Sequence, residues 1–194
     1  MTELLFASQN KNKSKELTEI LGQDYKILSL ADLNYNEDID ETGLTLEENA
    51  LIKARHIYNM YHKPCIADDS GLEVEVLNGE PGVYSARYSG ADNNSLANMS
   101  KLLQKLDGEI NRNAQFRTVI AFVSSQGEFL FEGIVKGVIT TEMKGSEGFG
   151  YDPIFQPTFG NGLTFAQMSP AEKNNISHRA MAVKKFVTFL KNNR

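Results

Sequence analysis

The chain has 194 residues, enough for one domain with its own core and no covalent staples. Hydrophobic residues make up 41% and charged residues 23%, which excludes chain-wide disorder, and no apolar run approaches the roughly 18–20 residues of a membrane span. A net charge of −5 argues against a protein that grips long nucleic acid, but small anionic ligands remain open, and the lone Cys65 excludes an internal disulfide or a cysteine-only metal site. The start, Met1-Thr2-Glu3-Leu4, lacks the basic and apolar blocks of a secretory signal, so a cytoplasmic setting is expected.

Residues 4–8 read as a short buried strand. A basic, amide-rich loop follows, then a helix carrying Leu17, Ile20 and Leu21 and ended by Gly22. Residues 25–30 form a second strand, and the acidic, turn-rich stretch 34–43 holds Glu37, Asp38, Asp40 and Glu41. Thr45, with Glu48 three residues on, predicts a capped helix whose inner face holds Leu46, Ala50, Ala54, Ile57 and Tyr61. Asn49 and Lys53 fall on the border of that face, where polar groups need partners or a ligand.

Residues 65–67 read as a strand running into Asp68-Asp69-Ser70-Gly71, followed by a half-exposed strand over 72–77 and a turn at 78–82. Leu96, Met99, Leu102, Leu103 and Leu106 predict an amphipathic helix. Residues 116–123 predict a central strand, and 124–128 a hairpin turn into a strand over 129–139. A glycine-rich loop spans 144–153. The last helix is expected to be capped by Ser177, with Ala180, Val183, Phe186, Val187 and Leu190 inward. The expected fold is α/β: a mixed sheet with flanking helices, one domain over residues 1–194, with two lobes around a central cleft.

Five segments can carry chemistry. The loop Asn10-Lys11-Asn12-Lys13-Ser14 joins a strand to a helix start, where backbone N–H groups bind phosphate and Lys13 adds a charge, although the glycine run of a P-loop is missing. An ordinary solvated turn is the other reading. In Asp68-Asp69 one carboxylate can face a site, holding Mg²⁺ or orienting water, while the other braces the chain; an Asx-type turn is the alternative. Mg²⁺ commonly takes one or two carboxylates plus substrate phosphates, so one acid from 37–41 and one from Asp68-Asp69 suffice.

In Gly148-Phe149-Gly150-Tyr151-Asp152-Pro153, Phe149 can stack on a base and Asp152 can accept a hydrogen bond from a ring N–H or ribose hydroxyl; a packed surface turn is the alternative. Lys173 can meet phosphate or base, and His178 and Arg179 can donate to a keto oxygen. No HExxH or paired His/Cys pattern points to zinc.

Six segments, taken in order, resemble the inosine triphosphate pyrophosphatase family. They are Ser8-Gln9-Asn10-Lys11-Asn12-Lys13; Glu41-Thr42-Gly43 with Glu48-Asn49-Ala50 and Lys53-Ala54; Ala67 through Leu72; Pro81 through Tyr88; Gly148 through Phe155; and Glu172 through Arg179. The resemblance implies that Ser8, Gln9, Asn10, Lys11, Asn12 and Lys13 cradle a triphosphate, that Asp69 activates water and contacts Mg²⁺, and that Lys53 neutralises phosphate charge. Glu41 is then the second metal-side acid. Many relatives carry two glutamates where this chain has Asp40-Glu41, so either acid can reach the ion. Ser70 is expected to touch substrate, and Phe149, Gly150, Tyr151 and Asp152, with Lys173, His178 and Arg179, to form the base pocket. Gln167 stands where relatives usually carry glutamate, a change expected to be tolerated.

The implied reaction hydrolyses purine nucleoside triphosphates with inosine- or xanthosine-type bases to the monophosphate and pyrophosphate, by a Mg²⁺-dependent homodimer with no nucleic-acid or membrane partner. The purine six-position is expected to discriminate: a keto oxygen accepts from His178 or Arg179, whereas the adenine amino group leaves those donors unpaired. Guanine shares the keto group, so its rejection must rest on the two-position. Two other readings are a pyrophosphatase for pyrimidine or other modified nucleotides, and a nucleotide-binding module without turnover. The latter is expected to lack the acids that Asp68, Asp69 and Glu41 supply here.

Overall fold

The computed structural model describes residues 2–21, 25–90 and 94–193, so Gly22, expected to end the first helix, lies outside the described residues. β1 (Thr2–Phe6) buries Leu4, Leu5 and Phe6, the apolar run of a sheet interior. It lies parallel to β2 (Tyr25–Ser29), with Leu4 opposite Ile27, and parallel to β3 (Cys65–Val74), with Leu5 opposite Cys65. β4 (Asn113–Ser124), β5 (Gly127–Ile139) and β6 (Phe155–Pro157) complete a six-stranded sheet of order β2-β1-β3-β4-β5-β6. β5 and β6 run antiparallel, with Ile139 opposite Phe155, so the sheet is mixed as expected. β4 buries Phe116 and every side chain from Val119 to Val123, the two-sided burial of an interior strand.

Asp68-Asp69-Ser70-Gly71 does not leave the sheet: β3 runs unbroken from Cys65 to Val74, correcting the expected strand end after residue 67. The extended backbone is retained because the carboxylates, pointing opposite ways, meet cations from other segments. Gly71 admits a close neighbour, since a Cβ there would lie 2.6 Å from the Gly82 carbonyl oxygen. The strand expected over 72–77 ends at Val74 and continues as a 3₁₀ turn, Glu75–Leu77.

α1 (Lys11–Leu21) buries Leu17 and Leu21. α2 (Leu46–Tyr61) opens on the expected capping box: the Thr45 hydroxyl accepts the Glu48 N–H at 3.1 Å, and the Glu48 carboxylate accepts the N–H groups of Thr45 and Leu44 at 3.2 and 2.6 Å. Its buried face contains Leu46, Ala50, Ala54 and Ile57 together with Asn49 and Lys53; Tyr61 is half-buried. α3 (Ser95–Lys105) buries Met99 and Leu102, but Leu96 is 61% exposed, contrary to expectation. The inner face runs through Asn98, whose Oδ1 accepts from the Ser89 N–H and hydroxyl at 2.7 Å each, and Leu96 lies about 200° around the helix from it.

The segment Glu172-Lys173-Asn174 belongs to a helix of its own, α4 (Pro170–Ile176), opened by a Ser169–Glu172 capping box with proline in the first turn. Ser177 separates it from α5 (His178–Asn192) and ends α4 by donating its N–H to the Lys173 carbonyl at 2.8 Å. α5 buries Ala180, Ala182, Val183 and Phe186.

The chain divides into two compact units, each built from separated segments: Met1–Asp69, Thr118–Gly133 and Arg179–Arg194 in the first, and Ser70–Arg117 and Ile134–His178 in the second. The first has a core around Leu4, Phe6, Leu17, Ile66, Phe122 and Phe186, the second a core around Leu72, Leu102, Phe116, Ile139, Phe155 and Phe165. Among the described residues no helix is long and apolar enough to cross a membrane.

Candidate active site

In the first unit β3 carries Asp68 and Asp69 on opposite sides of its backbone, and each meets a different cation. Asp68 Oδ1 lies 3.1 Å from Lys13 Nζ of α1, and its Oδ2 accepts from Arg179 Nε of α5 at 3.1 Å. Arg179 also donates through Nη1 to Glu16 of α1. Asp69 Oδ1 accepts from Lys53 Nζ of α2 at 3.3 Å, and the same ammonium reaches Glu41 Oε1 at 2.6 Å and the Asp68 carbonyl at 2.8 Å. Lysine and arginine stems from three helices therefore converge on one strand, in surroundings where an unpaired charge would be costly.

Burial alone would raise both aspartates, yet the outcome differs. Lys13, Arg179 and Lys53 around Asp68 overcome burial and hold its carboxyl well below the usual range. At Asp69 burial wins over Lys53 and Lys13, and its pKa is raised. Burial would lower Lys53, but Asp69, Glu41 and Asp68 keep it above its ordinary value; for Lys13 burial prevails and its pKa is lowered.

Asp69 Oδ2 is buried with no hydrogen-bond partner among the described residues. An inward carboxylate oxygen beside a second acid, Glu41, is the donor chemistry that Mg²⁺ takes, so these residues fit the implied ion. Among the described residues no group of three or more His, Cys, Asp or Glu is gathered around one point. Of the two neighbouring acids, Glu41 reaches the cluster through Lys53, whereas Asp40 is exposed.

The first loop contributes unequally. Lys13 reaches Asp68, while Lys11 and Asn12 are exposed. Asn10 caps α1, its Oδ1 accepting the N–H groups of Asn12 and Lys13 at 3.0 and 3.2 Å. Ser8 accepts the Asn10 N–H at 3.2 Å, and Gln9 donates to the Glu37 carbonyl at 2.9 Å.

The second unit holds the other candidates. The Asp152 carboxylate accepts the Phe149 N–H at 2.8 Å and Lys173 Nζ at 2.7 Å, and is buried. Gly148, at φ +75°, completes this turn, since a Cβ there would fall onto the Asp152 carboxylate. Lys173 Nζ also lies 4.7 Å from the centre of the Phe149 ring, a cation–π distance. Tyr151 is buried and donates to the Ser85 carbonyl at 2.9 Å, anchoring the loop; Gly150 follows the left-handed φ of +64°. His178 stacks on Phe116 at 4.6 Å and 10°. Ser70 is half-buried in β3. Arg179 falls instead in the first unit, with Asp68 and Glu16.

Sequence reasoning missed Glu16, and it missed Asp68 as the carboxylate on which Lys13 and Arg179 meet. No local signal marks Glu16; only the tertiary partner does. Gln167 caps a short 3₁₀ turn, its Oε1 accepting the Thr164 N–H at 3.0 Å, a bond a glutamate would make equally well.

The sequence model of the Ham1 family matches residues 4–189. The dITP/XTP pyrophosphatase of Flavobacterium psychrophilum is 53% identical over 190 residues, covering 98% of this chain and all of the relative, and that of Bacillus subtilis is 46% identical over 195 residues, covering 98% of each. The Ham1 protein of Staphylococcus aureus superposes with a TM-score of 0.90 at 41% identity, over the full length of both chains. The chain belongs to the Ham1 family.

Proposed function

We propose that this chain hydrolyses non-standard purine nucleoside triphosphates, those of inosine, deoxyinosine and xanthosine, to the nucleoside monophosphate and pyrophosphate. The relatives named dITP/XTP pyrophosphatase, matched over nearly their whole length, support the substrate class. The observation that carries the chemistry is the meeting of Asp69 and Glu41 on the Lys53 ammonium, with one buried Asp69 oxygen unclaimed among the described residues.

In this reading Asp69 orients a water molecule toward the α-phosphorus and accepts its proton. The water oxygen bonds to the α-phosphorus as the bond to the bridging oxygen breaks, and pyrophosphate departs. Lys53 and Lys13 supply positive charge to the polyphosphate. Asp68, held ionised by Lys13 and Arg179, fixes those cations and is not the base. Asp69 and Glu41 would hold Mg²⁺, which when bound would neutralise charge on the triphosphate.

For the base, Phe149 supplies a stacking ring whose loop is fixed by Asp152 and Lys173. Arg179 already gives Nε and Nη1 to carboxylates, so recognition of the keto oxygen falls first to His178. The family model crosses both units, which supports a single functional domain over 1–194. The family resemblance supports a homodimer. The buried Cys65 thiol, pushed up to about 12 by burial, fits a cytoplasmic protein that makes no use of disulfides.

A panel of purine and pyrimidine triphosphates, each with and without Mg²⁺, tests this reading. Turnover confined to inosine- and xanthosine-type nucleotides and dependent on the ion is expected. Preference for a pyrimidine triphosphate, or turnover unaffected by chelation, would overturn it.

A further inference from the structure

Glu41 reaches Lys53 from a segment outside helix and strand, and something must hold that segment in place. Two residues beyond Glu41, the Gly43 N–H donates to Asn49 Oδ1 at 2.8 Å. The next two N–H groups, of Leu44 and Thr45, go to the Glu48 carboxylate. Three successive amides are thus fastened to the first turn of α2, the helix that presents Lys53 one turn after Asn49. The fit is close: a Cβ on Gly43 would lie 2.7 Å from Asn49 Oδ1 and 2.6 Å from Glu48 Cβ.

Asn49 is fully buried, and its Nδ2 has no hydrogen-bond partner among the described residues. A buried amide that leaves a donor unmet is a poor choice for packing alone. Its acceptor is the useful half, and the bond from Gly43 determines which way the amide faces. Thr45 and Glu48 cap the helix without its help, so the cap does not account for it.

We propose that Asn49 is a positioning residue for the hydrolytic reaction: by gripping Gly43 it sets Glu41 against Lys53 and Asp69. The inference rests on the pyrophosphatase reading above. Asn49 touches no substrate in this account and acts through Glu41. Glycine at 43 is required because a side chain there would push the Glu41 segment off the helix.

A double-mutant cycle in full-length protein separates this role from general support. Asn49→Leu, which keeps the bulk and removes the acceptor, is expected to lower kcat by about 10²-fold, the scale of a misplaced catalytic group, with KM for inosine triphosphate little changed. In a Glu41→Gln background the same change is expected to add nothing beyond about twofold, since the residue it positions is already disabled. Losses that multiply would overturn the proposal. Gly43→Ala, reaching the same segment from the other side, is expected to behave likewise.

A measurement independent of turnover follows the Gly43 amide in metal-free protein by hydrogen exchange. Protection is expected to fall in Asn49→Leu and to persist in Asn49→Asp, which keeps the acceptor. Equal protection in wild type and Asn49→Leu would remove the grip. Failure of the wild type itself to release pyrophosphate would defeat the underlying reading instead, and the exchange result would still report on the grip.

Discussion

Asp69 and Asp68 are chemically identical neighbours whose surroundings part them. Asp69 keeps a raised pKa and an inward oxygen; Asp68 is pinned between Lys13 and Arg179. Asp69→Asn should therefore cost about 10²–10⁴-fold in turnover, the usual worth of a general base, while the thermal midpoint stays near that of the wild type. Activity near wild type would move the base elsewhere. Arg179→Ala takes the shared partner from buried Asp68 and half-buried Glu16, and about 3–5 kcal/mol of stability should go with it in denaturant titration. Unchanged stability would show that the pair contributes nothing net.

The pH dependence of folding has a definite sign for Asp68. Its carboxyl sits below the ordinary 3.8 in the fold, so its contribution is complete above that value and is lost as pH falls toward the folded pKa. Asp69, raised, acts in reverse and withdraws stability as pH climbs past its ordinary value. Asp68→Asn should consequently flatten the acid limb of the stability curve, and an unchanged limb would contradict the assignment. Neither direction is legible in sequence, because the cations that lower Asp68 lie at positions 13, 53 and 179 and the burial that raises Asp69 is set by tertiary packing.

At the scale of elements, what could be read depended on whether the deciding contacts are local. The α2 start was legible because Thr45 and Glu48 satisfy each other within one turn. Thr45→Ala should cost about 0.5–2 kcal/mol in equilibrium unfolding, and no loss would mean the box is decorative. β3 was misread because Asp-Asp-Ser-Gly favours a turn locally, and the pairing that keeps it extended comes from α1, α2 and α5. α4 was missed although its sign was present: Ser169, then proline, then Glu172 is a capping box with a preorganised first turn. Leu96 is exposed, against the pattern of apolar spacing, because Asn98 takes the inner face of α3 through its hydrogen bonds to Ser89.

At the scale of the whole molecule, the order of motifs along the chain carried more than any one of them. The mixed sheet and flanking helices were legible from alternating strand and helix patterns. The chain divides into two units, each with its own apolar core. The first unit collects Asp68, Asp69 and Glu41 with Lys13 and Lys53, and the second the Phe149 loop with Asp152 and Lys173, a grouping that no single motif displays.

Hydrolysis of inosine triphosphate in ¹⁸O-labelled water, with Mg²⁺ and every product identified, puts the central claim to its most direct trial. Attack at the α-phosphorus predicts inosine monophosphate carrying the label and unlabelled pyrophosphate. Label in the pyrophosphate, or release of inosine diphosphate with orthophosphate, would contradict it.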